Sequence, residues 1–236
     1  MGRVFEKRKH RMFARYAKMA KGFTRIGKEI VIAVKAGGAN PDNNARLRIV
    51  MQNAKSINMP KDRVEAAIKK ASSKEEKDYE EMVYEGYAPH GIPIVIETAT
   101  DNPTRTVANI RMHFNKGNGT LGKTGSLDFM FERKGIFKID AGTNNLEDLE
   151  LELIDYGAED VYADDENGII IEVPFTSFGA MQKALEEKNI TVISAVLQRI
   201  PNTLAELTEE QEKEVQKLID DIENDDDVLA VYHNMK

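Results

Sequence analysis

Between residues 23 and 71 apolar side chains return every three to four positions, the spacing of amphipathic helices. In FTRIGKEIVIAVKAGG, Phe23, Ile26, Ile30 and Ala33 or Val34 share one face, and Gly37 is a natural stop. In ARLRIVMQNAKSI the face is Leu47, Val50, Met51, Ala54 and Ile57. Asn40, Pro41, Asp42, Asn43 and Asn44 precede it with turn and N-cap chemistry. A third helix opens at NMPKD, with Pro60 near its first position, and buries Val64, Ala67, Ile68 and Ala71. The pattern predicts a small three-helix domain, with Met51 and Met59 as core filling.

After the exposed linker SSKEEKDYEE the pattern shifts to alternation and β-branched runs. MVYEGYA and IPIVIETA read as strands joined by a turn at Pro89, His90 and Gly91. Asn102 and Pro103 start a helix that turns Val107, Ile110 and Phe114 inward, and SLDFMFERKG beyond it alternates as a strand. Then IFKID, NLEDLELELIDYG, DVYADDENGIIIEVP, FTSFGAMQKALEEKN and ITVISAVLQRI spell strand, helix, hairpin (turning at Asn167 and Gly168), helix and strand. That order, β-α-β-β-α-β, is the ferredoxin-like arrangement. The helix TEEQEKEVQKLIDDIEND and the strand VLAVYH are left to return to the earlier sheet. The expected fold is α+β, with a three-helix domain followed by two α/β sandwich domains, one ferredoxin-like and inserted in the other. The expected divisions are a basic arm and helical domain at 1–77, an α/β domain from 78–134 plus 200–236, and the insertion at 135–199.

Charge changes this picture most. Residues 1–75 hold 19 Lys/Arg against 6 Asp/Glu, a net of +13, while the remainder carries −20. A basic head on an acidic body suits a polyanion, although mutual attraction of the two halves would give the same split. The opening FEKRKHRMFARYAKMAKG interleaves Phe5, Phe13 and Tyr16 with its cations, so it can neutralise phosphates and stack unpaired bases, or else be a solvated arm. The candidate nucleic-acid contacts are Lys7, Arg8, Lys9, Arg11, Arg15, Lys18 and Lys21 in this arm. Arg25 and Lys28 on the first helix, Arg46 and Arg48 on the second and Lys61 on the third complete the set. No clear set of base-reading side chains accompanies them, which favours recognition of backbone or shape.

Candidate chemistry adds little. There is no cysteine, which excludes disulfides, zinc–thiolate sites and a cysteine nucleophile, and the four histidines lack metal-ligand spacing. No apolar run is long enough to span a membrane, and no secretory signal opens the chain; a cytoplasmic protein is expected. Residues 117–124, GNGTLGKT, satisfy the P-loop pattern G-x-x-x-x-G-K-[ST]. Yet this loop is entered from a helix and left into a strand, the reverse of a P-loop, whose anion site sits at the start of the following helix. The acidic triplets Asp164, Asp165, Glu166 and Asp225, Asp226, Asp227 match no EF-hand and read as a solvated turn and helix end. No nucleophile–base–orienter set emerges. The expectation is a non-enzyme with no cofactor, metal or small-molecule substrate; an adaptor using the acidic body is a third class.

Several stretches resemble the YebC/PmpR family: KAGGANPDNNARLR, NMPKDRVEAAIKK, YEGYAPHGIPIVIETATDNPTRTVANIR and GNGTLGKTGSLDFMFERKG. The likeness runs from about residue 8 to the end. At the start the family commonly has a glycine-histidine-serine-lysine-tryptophan stretch where this chain has MGRVFEKRKHRMFARYAKMAKG, and similar proteins often carry an acidic residue in place of Lys123. The resemblance implies a three-helix domain plus two α/β domains, and regulation of gene expression through nucleic acid. Members are described as DNA-binding transcriptional regulators, and others as ribosome-associated factors that aid translation of difficult stretches such as proline runs. A eukaryotic relative is a mitochondrial translational activator. The implied partner is DNA, or ribosomal RNA or tRNA on the ribosome.

Overall fold

The structure, a computed structural model, describes the backbone of residues 3–73, 78–142, 145–164 and 168–236, and side chains from Met19 onward. Helix α1 runs Arg3–Gly37, so the helix expected from Phe23 starts far earlier and the basic arm is its N-terminal part. Helices α2 (Ala45–Ser56) and α3 (Lys61–Ala71) complete the head. Asn44 caps α2 by accepting from Leu47 N, and its amide donates to the carbonyls of Ala33 and Gly38. That one side chain sets the corner between α1 and α2. The head's core is Ile26, Ile30, Val34, Leu47, Val50, Ala54 and Val64, with Met51, Ile57, Met59, Ala67 and Ile68 packed around it.

The body holds two antiparallel sheets. Strands β1 (Glu80–Tyr87) and β2 (Pro93–Thr100) form the expected hairpin across a tight turn in which His90 takes a positive φ of 65°. Short β3 (Thr120–Leu121) flanks β1, and the C-terminal β8 (Val228–His233) flanks β2. Helices α4 (Pro103–Lys116) and α7 (Glu209–Glu223) bury Ile110, Phe114, Val215, Leu218 and Ile222 against Tyr84, Ile94 and Ile96 of this sheet. A capping box between Thr208 and Gln211 starts α7.

The second sheet contains β4 (Phe131–Asp140), β5 (Asp160–Ala163), β6 (Gly168–Pro174) and β7 (Val192–Pro201), in the order β5-β6-β4-β7. With α5 (Leu146–Ile154) and α6 (Phe178–Glu187) on one face, this is the ferredoxin-like arrangement. Strand β4 starts later than SLDFMFERKG suggested, because residues 128–130 form a 3-10 turn. Leu127 and Phe131 on either side of it pack against Val95 on the outer face of the first sheet. The hairpin turn at Asp165, Glu166 and Asn167, and the linker at 74–77, lie outside the described residues.

The head is tied to both sheets. Asn53 of α2 uses its side-chain amide like a strand, donating to Ala195 O (2.8 Å) and accepting from Ala195 N (2.9 Å). This occupies the outer edge of β7, where an unpaired strand would invite aggregation.

Candidate nucleic-acid interface

The helical rise turns residues 21, 25 and 28 of α1 to one side, and that side faces the body. Lys21 hydrogen-bonds the Asn224 side chain, and Arg25 donates to Glu223 O (3.3 Å). Lys28 is buried and donates to Ala99 O (2.8 Å), Asp226 O (2.7 Å) and Asp227 Oδ1 (2.9 Å). An ammonium has three protons to give, so Lys28 has none left for a phosphate. It leaves the candidate contact set for this reason. All three cations meet the C-terminal end of α7, where the helix dipole favours positive charge.

The rest of the candidate set separates by exposure. Arg46 pairs with Glu81 of β1, and Arg48 with Glu186 of α6, while also donating to the carbonyls of Pro41 and Asp42. Lys61 lies fully at the surface beside Glu65. Such half-exposed pairs are worth about 0–1 kcal/mol, so a phosphate can compete for Arg46 and Lys61; Arg48, with its two carbonyl bonds, is held harder. Lys55 and Lys69 add exposed cations to the head's surface, and Arg63 lies over the Phe23 ring at 5.8 Å. The side chains of Lys7, Arg8, Lys9, Arg11, Arg15 and Lys18 lie outside the described residues; their backbone continues α1.

Of the triplet read as a solvated helix end, Asp226 is exposed, while Asp225 and Asp227 are turned inward. Asp227 is buried and gathers Lys28, Arg105 (2.7 Å), Thr106 (2.8 Å) and Thr100 (3.2 Å). Burial alone would push this carboxyl up, but hydrogen bonds from Arg105, Lys28 and Thr106 override it and hold the pKa at about 2. The segment TATDNPTRT therefore builds an ion-pair hub joining head to body.

The glycine loop is also explained without a nucleotide. A Cβ on Gly117 would come within 2.7 Å of the Leu218 side chain, and one on Gly119 within 2.7 Å of Tyr87 O. These glycines let the chain squeeze between α7 and β1. Within the pattern, the amides of Gly117, Asn118, Gly119 and Gly122 donate to the carbonyls of His113, Asn115, Phe114 and Glu85, and just past it buried Glu85 accepts from Gly125 N (2.8 Å), Ser126 Oγ (3.3 Å) and Leu127 N (2.6 Å). The protein's own carboxylate fills the nest.

Two family profiles cover nearly the whole chain. The TACO1/YebC N-terminal domain matches residues 3–74, and the TACO1/YebC second and third domain matches residues 79–235. The chain belongs to the TACO1/YebC family. Relatives named "Probable transcriptional regulatory protein" include one from Flavobacterium johnsoniae, 59% identical over all of this chain and 99% of its own length. One from Cytophaga hutchinsonii is 59% identical over all of this chain and 98% of its own. A crystal structure of a conserved hypothetical protein from Aquifex aeolicus shares 35% identity, with a TM-score of 0.77 over 93% of this chain and 91% of that one. Among the described residues of this TACO1/YebC chain no helix is long and apolar enough to cross a membrane.

Sequence reasoning missed one group at the seam. Glu29 of α1 is held among Arg46, Glu81, Arg25 and Glu97, and burial is the main reason its carboxyl rises to about 7, with Glu81 and Glu97 adding to it against Arg46 and Arg25. Nearby, Tyr232 donates to Glu97 (3.4 Å) and Leu197 O (3.3 Å), and Arg199 donates to Glu97 (3.0 Å). The only sequence signal was an acid among the cations of α1, which has one other, Glu6.

Proposed function

We propose that this protein is a non-enzymatic regulator of gene expression that binds nucleic acid through its basic head, with DNA as the first candidate ligand. The observation that carries the reading is the division of the head's cations. Lys21, Arg25 and Lys28 are spent on the body, while the residues before them, rich in Lys and Arg, continue the same helix. The helix is thus anchored at residues 21–28, and the stretch N-terminal to the anchor is rich in cations by sequence. Phosphate contact from such a stretch positions a protein on nucleic acid without reading bases. The names of the relatives favour transcription over translation, and the glycine loop, whose amides donate to the protein's own carbonyls, supports a non-enzymatic reading.

The test is a salt titration of binding to duplex DNA and to ribosomal RNA, with intact protein beside a variant lacking residues 2–20. Each lost phosphate contact flattens the log–log slope by about 0.9 on duplex DNA. Deletion should weaken binding and flatten the slope by several such steps, and an unchanged slope on both ligands moves the interface out of α1. Enrichment of promoter fragments supports the transcriptional role; RNase-sensitive co-sedimentation with ribosomes replaces it with a translational one.

A further inference from the structure

Residues 102–127 contain four Lys/Arg and no aspartate or glutamate, inside a body whose net charge is −20. The end of this stretch is the loop that follows β3, and its inner side is fully used. Glu85 holds residues 125–127 from below, and Ser126 N donates to Lys123 O (3.2 Å). Next, Met130 N donates to Leu127 O (2.9 Å), and Asn202 Nδ2 donates to Phe129 O (2.9 Å). Leu127, Met130 and Phe131 are packed into the sheet. Phe129, between these anchors, is left 74% exposed.

Its surroundings are polar, with one exposed carboxylate, Asp128, next to it in the chain. Lys123 is exposed, and Asp128 leans to Arg199 (3.4 Å). Tyr87 stands two residues from Glu85 on β1, hence on the same sheet face, and is also exposed. Apolar protein partners are captured by buried pockets with a desolvated centre; here the ring follows glycine, lysine, threonine, serine and aspartate, while Leu127 and Met130 pack inward. An exposed aromatic ring on the same loop as an exposed cation matches an unpaired nucleotide instead, whose base offers a face and whose phosphate a charge. We propose that the loop of residues 122–129 is a second nucleic-acid contact, selective for unpaired nucleotides, in which Phe129 stacks on a base and Lys123 meets a phosphate. The proposal rests on the nucleic-acid reading above but assigns the contact to the body rather than the head.

The chain has no tryptophan, so the Phe129→Trp variant carries a single indole at the site. Titrated with a short oligouridylate, that indole should be quenched by stacking, while a duplex of equal length binds without quenching. In otherwise unsubstituted protein, Phe129→Ala should weaken oligouridylate binding about tenfold and leave duplex binding and the melting temperature unchanged. Lys123→Ala should flatten the single-strand salt slope by about 0.7. Oligouridylate binding with full indole emission, or with unchanged affinity in Phe129→Ala, overturns this contact and leaves the head's role standing. Unsubstituted protein that binds neither oligonucleotide overturns both.

Discussion

Two carboxylates meet the seam between head and body from opposite sides, Asp227 from the body and Glu29 from the head. Asp227 receives hydrogen bonds from two cations and two hydroxyls and titrates at about 2. Glu29 has cations near it, Arg46 and Arg25, but they act through space while burial and the acids Glu81 and Glu97 oppose its charge, so it titrates at about 7. Burial pushes both groups in the same direction. What separates them is the number of donors aimed at the oxygens, since a direct charged hydrogen bond outweighs a screened attraction. The seam therefore has one permanently ionic joint and one that gains or loses a proton near neutral pH.

The largest effect should come from breaking the ionic joint. Asp227→Asn leaves Lys28 buried without its anion, and loss of one partner of a buried pair costs about 3–5 kcal/mol. Chemical denaturation should show a fall of that order; a loss below about 1 kcal/mol would mean that Lys28 and Arg105 find water or other acceptors.

Glu29 should produce the next effect, read as pH dependence. Its folded pKa lies above the ordinary value of 4.5, so the native state holds the proton more tightly than the unfolded chain. Its contribution is then full below pH 4.5, declines as pH rises to about 7, and is flat beyond. The decline amounts to about 3 kcal/mol if the whole shift is expressed. Glu29→Gln should remove that slope between pH 4.5 and 7 and match wild type best at the acid end. A slope that survives the substitution belongs to another group.

Arg105→Ala should sharpen the contrast from the other side. Asp227 would lose one of its donors, and its titration should move from about 2 toward the ordinary 3.8. Because the folded pKa is depressed, the stability it contributes is present above pH 3.8 and is lost as pH falls through 2; in the variant the loss should start at the same pH, be smaller and be complete at higher pH. Acid unfolding curves check this. Smallest of all should be Glu81→Gln, which breaks a half-exposed pair with Arg46 worth no more than about 1 kcal/mol. It also removes a like charge from Glu29, so the midpoint of the Glu29 slope should fall below 7. An upward movement would show that freed Arg46 turns away from Glu29.

Much of the fold was legible in the chain. The helical face Ile26, Ile30 and Val34, the β-rich IPIVIETA, and the strand and helix order after Gly135 each rest on periodicity within a few residues. The contact set was less legible, and Lys28 shows why. Nothing within its own helix distinguishes it from Lys21 or Lys35, and its partner Asp227 lies 199 positions away. The same holds for Glu85, whose oxygens fill a nest built 40 to 42 residues later, just past the glycine pattern.

By itself, then, the sequence determined where helices and strands form, which faces are apolar and how charge divides between head and body, because each follows from neighbours along the chain. Only the tertiary structure decided which charges are spent, which are free and which aromatic ring is left outside. An ion's state depends on the donors and the burial around it, and packing brings both from distant segments.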